Sequence, residues 1–192
     1  EVAIIGGGAS GIFCAVLLSL HNIPIVLFEK NKILGKKLLA TGNGRCNIHN
    51  TSTDSSSFQS TSFLQKDLQH ILQNYPFNAF VKTCQSLGLH LHTQENGKVY
   101  PLSNSAKSVL EVFTHALNKN PNLQIHLNTE ITTITKSDSN FLLHSHNHTE
   151  SFSTLILACG SQAAPKLGGS NKGEILAKQL NLKYHQAYPA LV

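Results

Sequence analysis

A chain of 192 residues with 41% hydrophobic and 13% charged residues is large enough to bury a core for one domain, or one and a half. It has no run of 18 apolar residues, which excludes a membrane-spanning helix, and its formal charge of +5 is scattered over lysines with a single arginine, Arg45, which argues against a nucleic-acid surface and for a solvated face that attracts anionic ligands. The four cysteines, Cys14, Cys46, Cys84 and Cys159, form no C-x-x-C pair and no metal-ligand spacing, so buried thiols in a reducing cytoplasm are expected and dithiol–disulfide chemistry is not.

The chain begins without Met and enters a short apolar run at once, Val2-Ala3-Ile4-Ile5, so the expectation is a trimmed start and no signal peptide. That run predicts a buried strand. Gly6-Gly7-Gly8-Ala9-Ser10-Gly11 follows, and Ile12 to Leu18 predicts a packed helix. Gly6, Gly8 and Gly11 fit G-x-G-x-x-G at a strand-to-helix junction. Gly6 would make the turn, Gly8 would admit a pyrophosphate, and Gly11 would let the helix lie on the sheet. The helix start, with Ala9 and Ser10, offers free N–H groups to phosphate. A second strand, Ile25-Val26-Leu27-Phe28, ends in Glu29-Lys30. Glu29 follows Gly11 by 18 residues, close to the spacing at which an acid accepts hydrogen bonds from an adenosine ribose. A glycine-rich turn with a solvated Glu29 is the competing reading. The complete strand–loop–helix–strand–acid context favours a dinucleotide.

Gly35 to Asn50 carries three glycines, the cations Lys36, Lys37 and Arg45, and Asn43, Asn47 and Asn50. Such a loop can turn backbone N–H groups toward an anion, and Arg45 adds a planar fork of donors. An ordinary surface loop is the alternative on composition alone. Read residue by residue, Gly35, Lys37, Leu38, Leu39, Thr41, Gly42, Gly44, Arg45, Cys46, Asn47 and Asn50 closely resemble the loop motif of the HI0933-like family of flavoproteins, also described as BaiN-like or aminoacetone-oxidase-like NAD(P)/FAD-dependent oxidoreductases. The chain departs at His49, where that family often has Thr or Ser. The resemblance implies a bound FAD. Gly6 to Gly11 would hold its pyrophosphate and Glu29 its ribose, with Lys30 beside it. The loop from Lys37 through Thr41, Gly42, Gly44, Arg45 and Cys46 to Asn47 would run along the pyrophosphate and toward the isoalloxazine.

Residues 51–57 read as an exposed polar loop. Helices are predicted over about 62–74, with Phe63, Leu64, Leu68, Ile71 and Leu72 on one face, and from Pro76 to a stop at Gly88. Leu89 to Thr93 alternates like a strand, and a turn at Gly97 leads into a second one through Pro101. The family carries a similar segment near its substrate side, so Lys98 and Tyr100 would contact an anionic substrate. A plain hairpin with Tyr100 as packing stays equally open. A helix over 105–118, a strand at Leu123–Leu127 and three short strands from Glu130 to Ser153 follow. The resemblance makes the last three a β-meander, with Ile131 against adenine. His144, His146 and His148 lack a carboxylate or Cys to complete a metal site, and chance alternation among 11 histidines accounts for them. Thr154 to Gly160 is a buried strand, where Ala158, Cys159 (in place of a usual Thr) and Gly160 would border the FAD. A last helix is expected over 174–180.

The expected fold is therefore α/β: a Rossmann-type FAD-binding domain of the glutathione-reductase-like, three-layer ββα kind with a β-meander, truncated at its C-terminal side. It would span 1–165 with an excursion at 51–105, and 166–192 would start the link to a second domain. The expected function is an FAD-dependent oxidoreductase with a small-molecule substrate, its flavin reduced by NADH or NADPH, without nucleic acid, membrane or metal. His49, Lys98 and Tyr100 are the candidates for acid–base work. An NAD(P)-only dehydrogenase, and a flavoprotein with a non-catalytic or RNA-modifying role, are the alternatives.

Overall fold

A computed structural model describes residues 1–58, 64–146, 148–185 and 187. In chain order the elements are β1 (Val2–Ile5), α1 (Ala9–Ser19), β2 (Ile25–Phe28), β3 (His49–Asn50), α2 (Gln65–Asn74), α3 (Phe77–Ser86), β4 (Leu91–Thr93), β5 (Lys98–Pro101), α4 (Ala106–Leu117), β6 (Leu123–His126), β7 (Thr133–Ser137), β8 (Asn140–His144), β9 (Thr149–Phe152), β10 (Thr154–Leu157) and α5 (Lys172–Gln179). The chain divides into two compact units, Glu1–Leu38 with Phe113–Val192, and Leu39–Val112.

The first unit is built on a parallel sheet in the order β10-β1-β2-β6. Its two central strands are apolar at nearly every position because both faces are covered. Side chains alternate across the sheet. Ala3, Ile5, Val26 and Phe28 pack on one face with Ile134, Leu143 and Phe152 of the meander and Leu176 of α5. Ile4, Ile25 and Leu27, all fully buried, serve the other face, where α1 supplies Ile12, Ala15 and Val16. Each such side chain contributes about 1.5–3 kcal/mol by leaving water. The β7-β8-β9 meander, the sheet and α1 thus form the three layers expected. Buried Asn120 ties the end of α1 to the entry of β6: its Nδ2 donates to Ser19 Oγ (3.1 Å) and Ile23 O (3.3 Å), and its Oδ1 accepts from Asn122 N (2.9 Å).

The second unit holds the antiparallel sheet β3-β5-β4 and the helices α2 and α3. Register sets His49 opposite Val99 and His92 opposite Tyr100. Gly88 takes a positive φ after α3, and Leu89 N returns to Cys84 O at 2.8 Å, closing the helix as its sequence predicted.

Two boundaries differ clearly from expectation. The helix expected over 62–74 begins at Gln65, and Phe63 lies outside the described residues, as does the chain end from Tyr188. No residue of α2 is fully buried; Ile71 and the preceding Leu64 are exposed. The strand expected from Glu130 begins at Thr133, with Thr132 N donating to His144 O of β8 (2.8 Å) just before it, and residues 128 and 129 bonded to the end of β2. Asn128 N donates to Asn31 O (3.1 Å) and Thr129 N to Glu29 O (2.9 Å), which holds this stretch beside the end of β2.

Candidate functional site

The site of the first unit grows from the β1–α1 turn. Gly6 sits at φ +114°, and a Cβ there would stand 2.3 Å from Ala158 O. At Gly11 a Cβ would stand 1.8 Å from Gly6 O and 3.3 Å from that of Ala158, so this glycine sets the depth at which α1 packs. Gly8 behaves differently. Its φ of −83° and ψ of −171° suit any residue, and a Cβ built on it meets nothing within 4 Å. It faces open space, and no side chain caps the N-terminus of α1 behind it. The first-turn N–H groups are therefore left for a ligand.

Glu29 is the buried carboxylate of the site, 7% exposed. Its Oε2 accepts from Gly7 N at 2.7 Å, and its Oε1 accepts from Asn31 N at 2.7 Å and Asn31 Nδ2 at 2.6 Å. A carboxylate has about four lone-pair positions, so about one remains, on Oε2. Gly7 permits this closeness, since a Cβ on it would stand 2.4 Å from Leu34 Cδ2 and 3.0 Å from Glu29 Cβ.

A cleft opens over these groups, bordered by Gly6, Gly7, Gly8, Glu29 and Ile131. Lys30, Lys36, Lys37 and Lys172 line it against Glu29 and Glu130, an excess of positive charge that suits an anion. Lys30 Nζ donates to Ser170 Oγ (3.1 Å), and Lys37 Nζ to Ser161 O (3.3 Å) and Ala163 O (3.5 Å), under Gly160. Cys159 lines the cleft too, with burial pushing its thiol up to about 11, so at neutral pH it is a protonated S–H donating to Ile5 O (3.5 Å).

Of the residues singled out in the sequence, the cleft gathers Gly6, Gly8, Glu29, Lys30, Lys37, Ile131 and Cys159. Ala9 and Ser10 open α1, exposed, while Gly11, Ala158 and Gly160 shape the wall behind. Gly7 and Lys172, from two loops expected near the cofactor, also line it, as do Asn31 and Thr129, which were not anticipated. Only Asn31, two residues past the acid, had a local signal, that of an Asx-type turn.

The remaining candidates belong to the second unit. Thr41 is extended, whereas Gly42, Asn43, Gly44 and Cys46 all take positive φ. Cys46 N donates to Thr41 O (3.0 Å), and burial pushes the Cys46 thiol up. Asn47 and Lys98 are exposed. Tyr100 is 3% exposed, with the Arg45 guanidinium 4.8 Å above its ring centroid. His49 stacks on Phe77 at 3.9 Å, and burial lowers its pKa, favouring neutral imidazole. In the first unit, His144 of β8 is held between Thr135 Oγ1 (3.2 Å) and Thr149 Oγ1 (3.0 Å). Among the described residues no group of three candidate metal ligands occurs, and no helix is long and apolar enough to cross a membrane.

The chain is similar to the 3-dehydro-bile acid delta(4,6)-reductase of Clostridium scindens, 31% identical over 100% of this chain and 46% of the relative. It is 27% identical to the ribosomal RNA dihydrouridine synthase of Escherichia coli, over 95% of this chain and 44% of that protein. It thus spans about half the length of these relatives. The 3-ketosteroid-delta4-(5alpha)-dehydrogenase of Rhodococcus jostii RHA1 shares the fold, with a TM-score of 0.59 over 85% of this chain and 46% of that one at 10% identity. The model of the HI0933-like protein Rossmann domain matches residues 1–187, and the chain belongs to that family.

Proposed function

We propose that this chain carries the dinucleotide-binding part of an FAD-dependent oxidoreductase, with NADH or NADPH reducing the flavin and a small molecule taking the electrons. The observation that carries the reading is the cradle at Gly8: open space before a Cβ-free backbone, uncapped helix N–H groups, and a buried acid with about one acceptor position left. The residues fit the ADP half of FAD. Gly8 and the first turn of α1 would hold the pyrophosphate, Glu29 would accept from a ribose hydroxyl, and Ile131 would border the adenine. Lys30, Lys36, Lys37 and Lys172 would balance the phosphate charge. When bound, the flavin supplies the hydride and electron chemistry, while the chain binds, orients and sets the electrostatics. The meander and the segment 35–50 favour FAD over a nicotinamide-only dehydrogenase.

The names of the two relatives describe saturation of a ring carbon–carbon double bond, one in a bile acid and one in a uridine of RNA. A small molecule with a carbonyl-conjugated double bond is the substrate class we favour, since cations are scattered and Arg45 is the sole arginine. Absorbance near about 450 nm, the band of the oxidised cofactor, tests the flavin; its absence from purified protein removes the FAD reading. Anaerobic mixing with NADH and NADPH then tests the donor, which fails if neither bleaches the flavin. Reoxidation by conjugated enones supports the substrate class. Reoxidation only by uridine-containing RNA overturns it.

A further inference from the structure

We infer that Arg45 is an anion-binding fork held in place by the ring of Tyr100, which makes Tyr100 a positioning residue and not a substrate contact. The geometry follows from register. The β3–β5 pairing, with Ile48 N donating to Val99 O at 2.8 Å, draws the loop exit alongside β5. Gly42, at φ +55°, lets that loop close on the edge of the ring: a Cβ there would stand 2.7 Å from Asn47 N and 3.3 Å from Tyr100 Cε1. Its carbonyl then accepts twice from the arginine, from the backbone N (3.2 Å) and from Nε (3.3 Å). The guanidinium carbon lies 4.8 Å over the ring centroid. The ring in turn is set by its cross-strand partner His92 (centroids 6.2 Å apart), whose Nε2 meets Asn104 Oδ1 at 3.2 Å.

The consequence is an exposed arginine whose Nε is spent and whose plane is set by a buried ring. Among the described residues no carboxylate pairs with it, and its terminal N–H groups carry no protein partner. Fixing the plane in advance reduces the entropy lost when a ligand docks. A planar fork of this kind matches the paired oxygens of a phosphate or a carboxylate. The anion is a phosphate group or a carboxylate of the ligand that this unit meets, and the two probes below distinguish them. The choice of pyrophosphate as first probe rests on the dinucleotide reading above, whereas the arginine–ring geometry does not.

Because the chain has one arginine, phenylglyoxal labelling followed by intact mass reports on Arg45 alone. Wild-type protein and Tyr100→Phe are expected to be protected at the same concentration of pyrophosphate. Pentafluorophenylalanine at position 100 keeps the shape and removes the attractive ring face. That variant and Tyr100→Leu should need about two- to fivefold more pyrophosphate, the span of an exposed cation–π contact. If Tyr100→Leu fails to fold, the fluorinated ring still decides. Protection by succinate and not by pyrophosphate assigns the fork to a substrate carboxylate and keeps the inference. Failure of both anions to protect wild-type protein, or protection of the fluorinated variant at the wild-type concentration, overturns it. Flavin content is measured in parallel. Lost flavin with intact protection undoes the dinucleotide reading alone, and retained flavin without protection undoes this inference alone.

Discussion

Gly8→Val separates a ligand's need for a glycine from the fold's need for one. The backbone at Gly8, φ −83° and ψ −171°, lies in the extended region that valine favours, and its Cβ would touch no protein atom within 4 Å. The apoprotein should therefore melt within a few degrees of wild type, since a substitution free of clashes changes stability by about 1 kcal/mol or less. The ligand meets a different situation. An oxygen accepting from the N–H groups of this turn sits at about 2.9 Å from nitrogen. The valine methyl groups occupy that approach and push the phosphate out of hydrogen-bond range. Loss of two bonds to a charged group, at about 1.5–3 kcal/mol each, weakens FAD binding by about 10²- to 10⁴-fold. Titration of FAD against protein fluorescence, with an apoprotein melt beside it, measures both quantities. Wild-type FAD affinity in a folded Gly8→Val protein would refute the role given to this glycine.

Gly11→Ala should do the opposite, giving little soluble protein, because its Cβ would lie 1.8 Å from Gly6 O with only backbone to move; a melting temperature near wild type contradicts this packing. Asn31→Ala removes the 2.6 Å donor to Glu29 Oε1 but spares the backbone bond, so FAD affinity is expected to fall about tenfold, the value of roughly one charged hydrogen bond, while FMN, which lacks the adenosine, serves as an unaffected control. The buried thiols set an alkaline limit. Burial pushes Cys84 up to about 12 and Cys159 up to about 11 from 9.0, so folded thiols hold their protons where unfolded ones lose them. That stabilisation is complete below pH 9 and is lost as pH rises from 9 through about 11 for Cys159 and about 12 for Cys84. The urea midpoint should drop across this interval, and a flat profile, or rapid iodoacetamide labelling of the native protein at pH 8, would contradict it.

The β1–α1–β2 unit was legible because its signals are short-range. Apolar runs, glycine spacing and a strand-end acid each constrain backbone within a few residues, and the structure forms β1, α1 and β2 at those positions. The meander was legible as three short strands, though its start was not. Thr132 N already donates to His144 O of β8, whereas just upstream Thr129 N donates to Glu29 O and Asn128 N to Asn31 O, an attachment across about a hundred residues that local pattern cannot register.

The side chains around the cleft have the same character. Lys30 reaches Ser170 across 140 residues of chain, and Lys37 reaches Ser161 across 124. Which lysines line the cleft, and that Asn31 donates to Glu29, follow from how β2, the entry to β7 and the segment after β10 converge. Tyr100 shows the limit most plainly. Its place in an alternating strand was readable, but contact with a ligand and burial beneath Arg45 give the same sequence pattern. The β3–β5 register and the left-handed turn at Gly42 bring two segments more than fifty residues apart to within 4.8 Å, a meeting that the alternation of one strand does not report. Periodicity reports which way a side chain points from its own backbone. What meets it there depends on the rest of the chain.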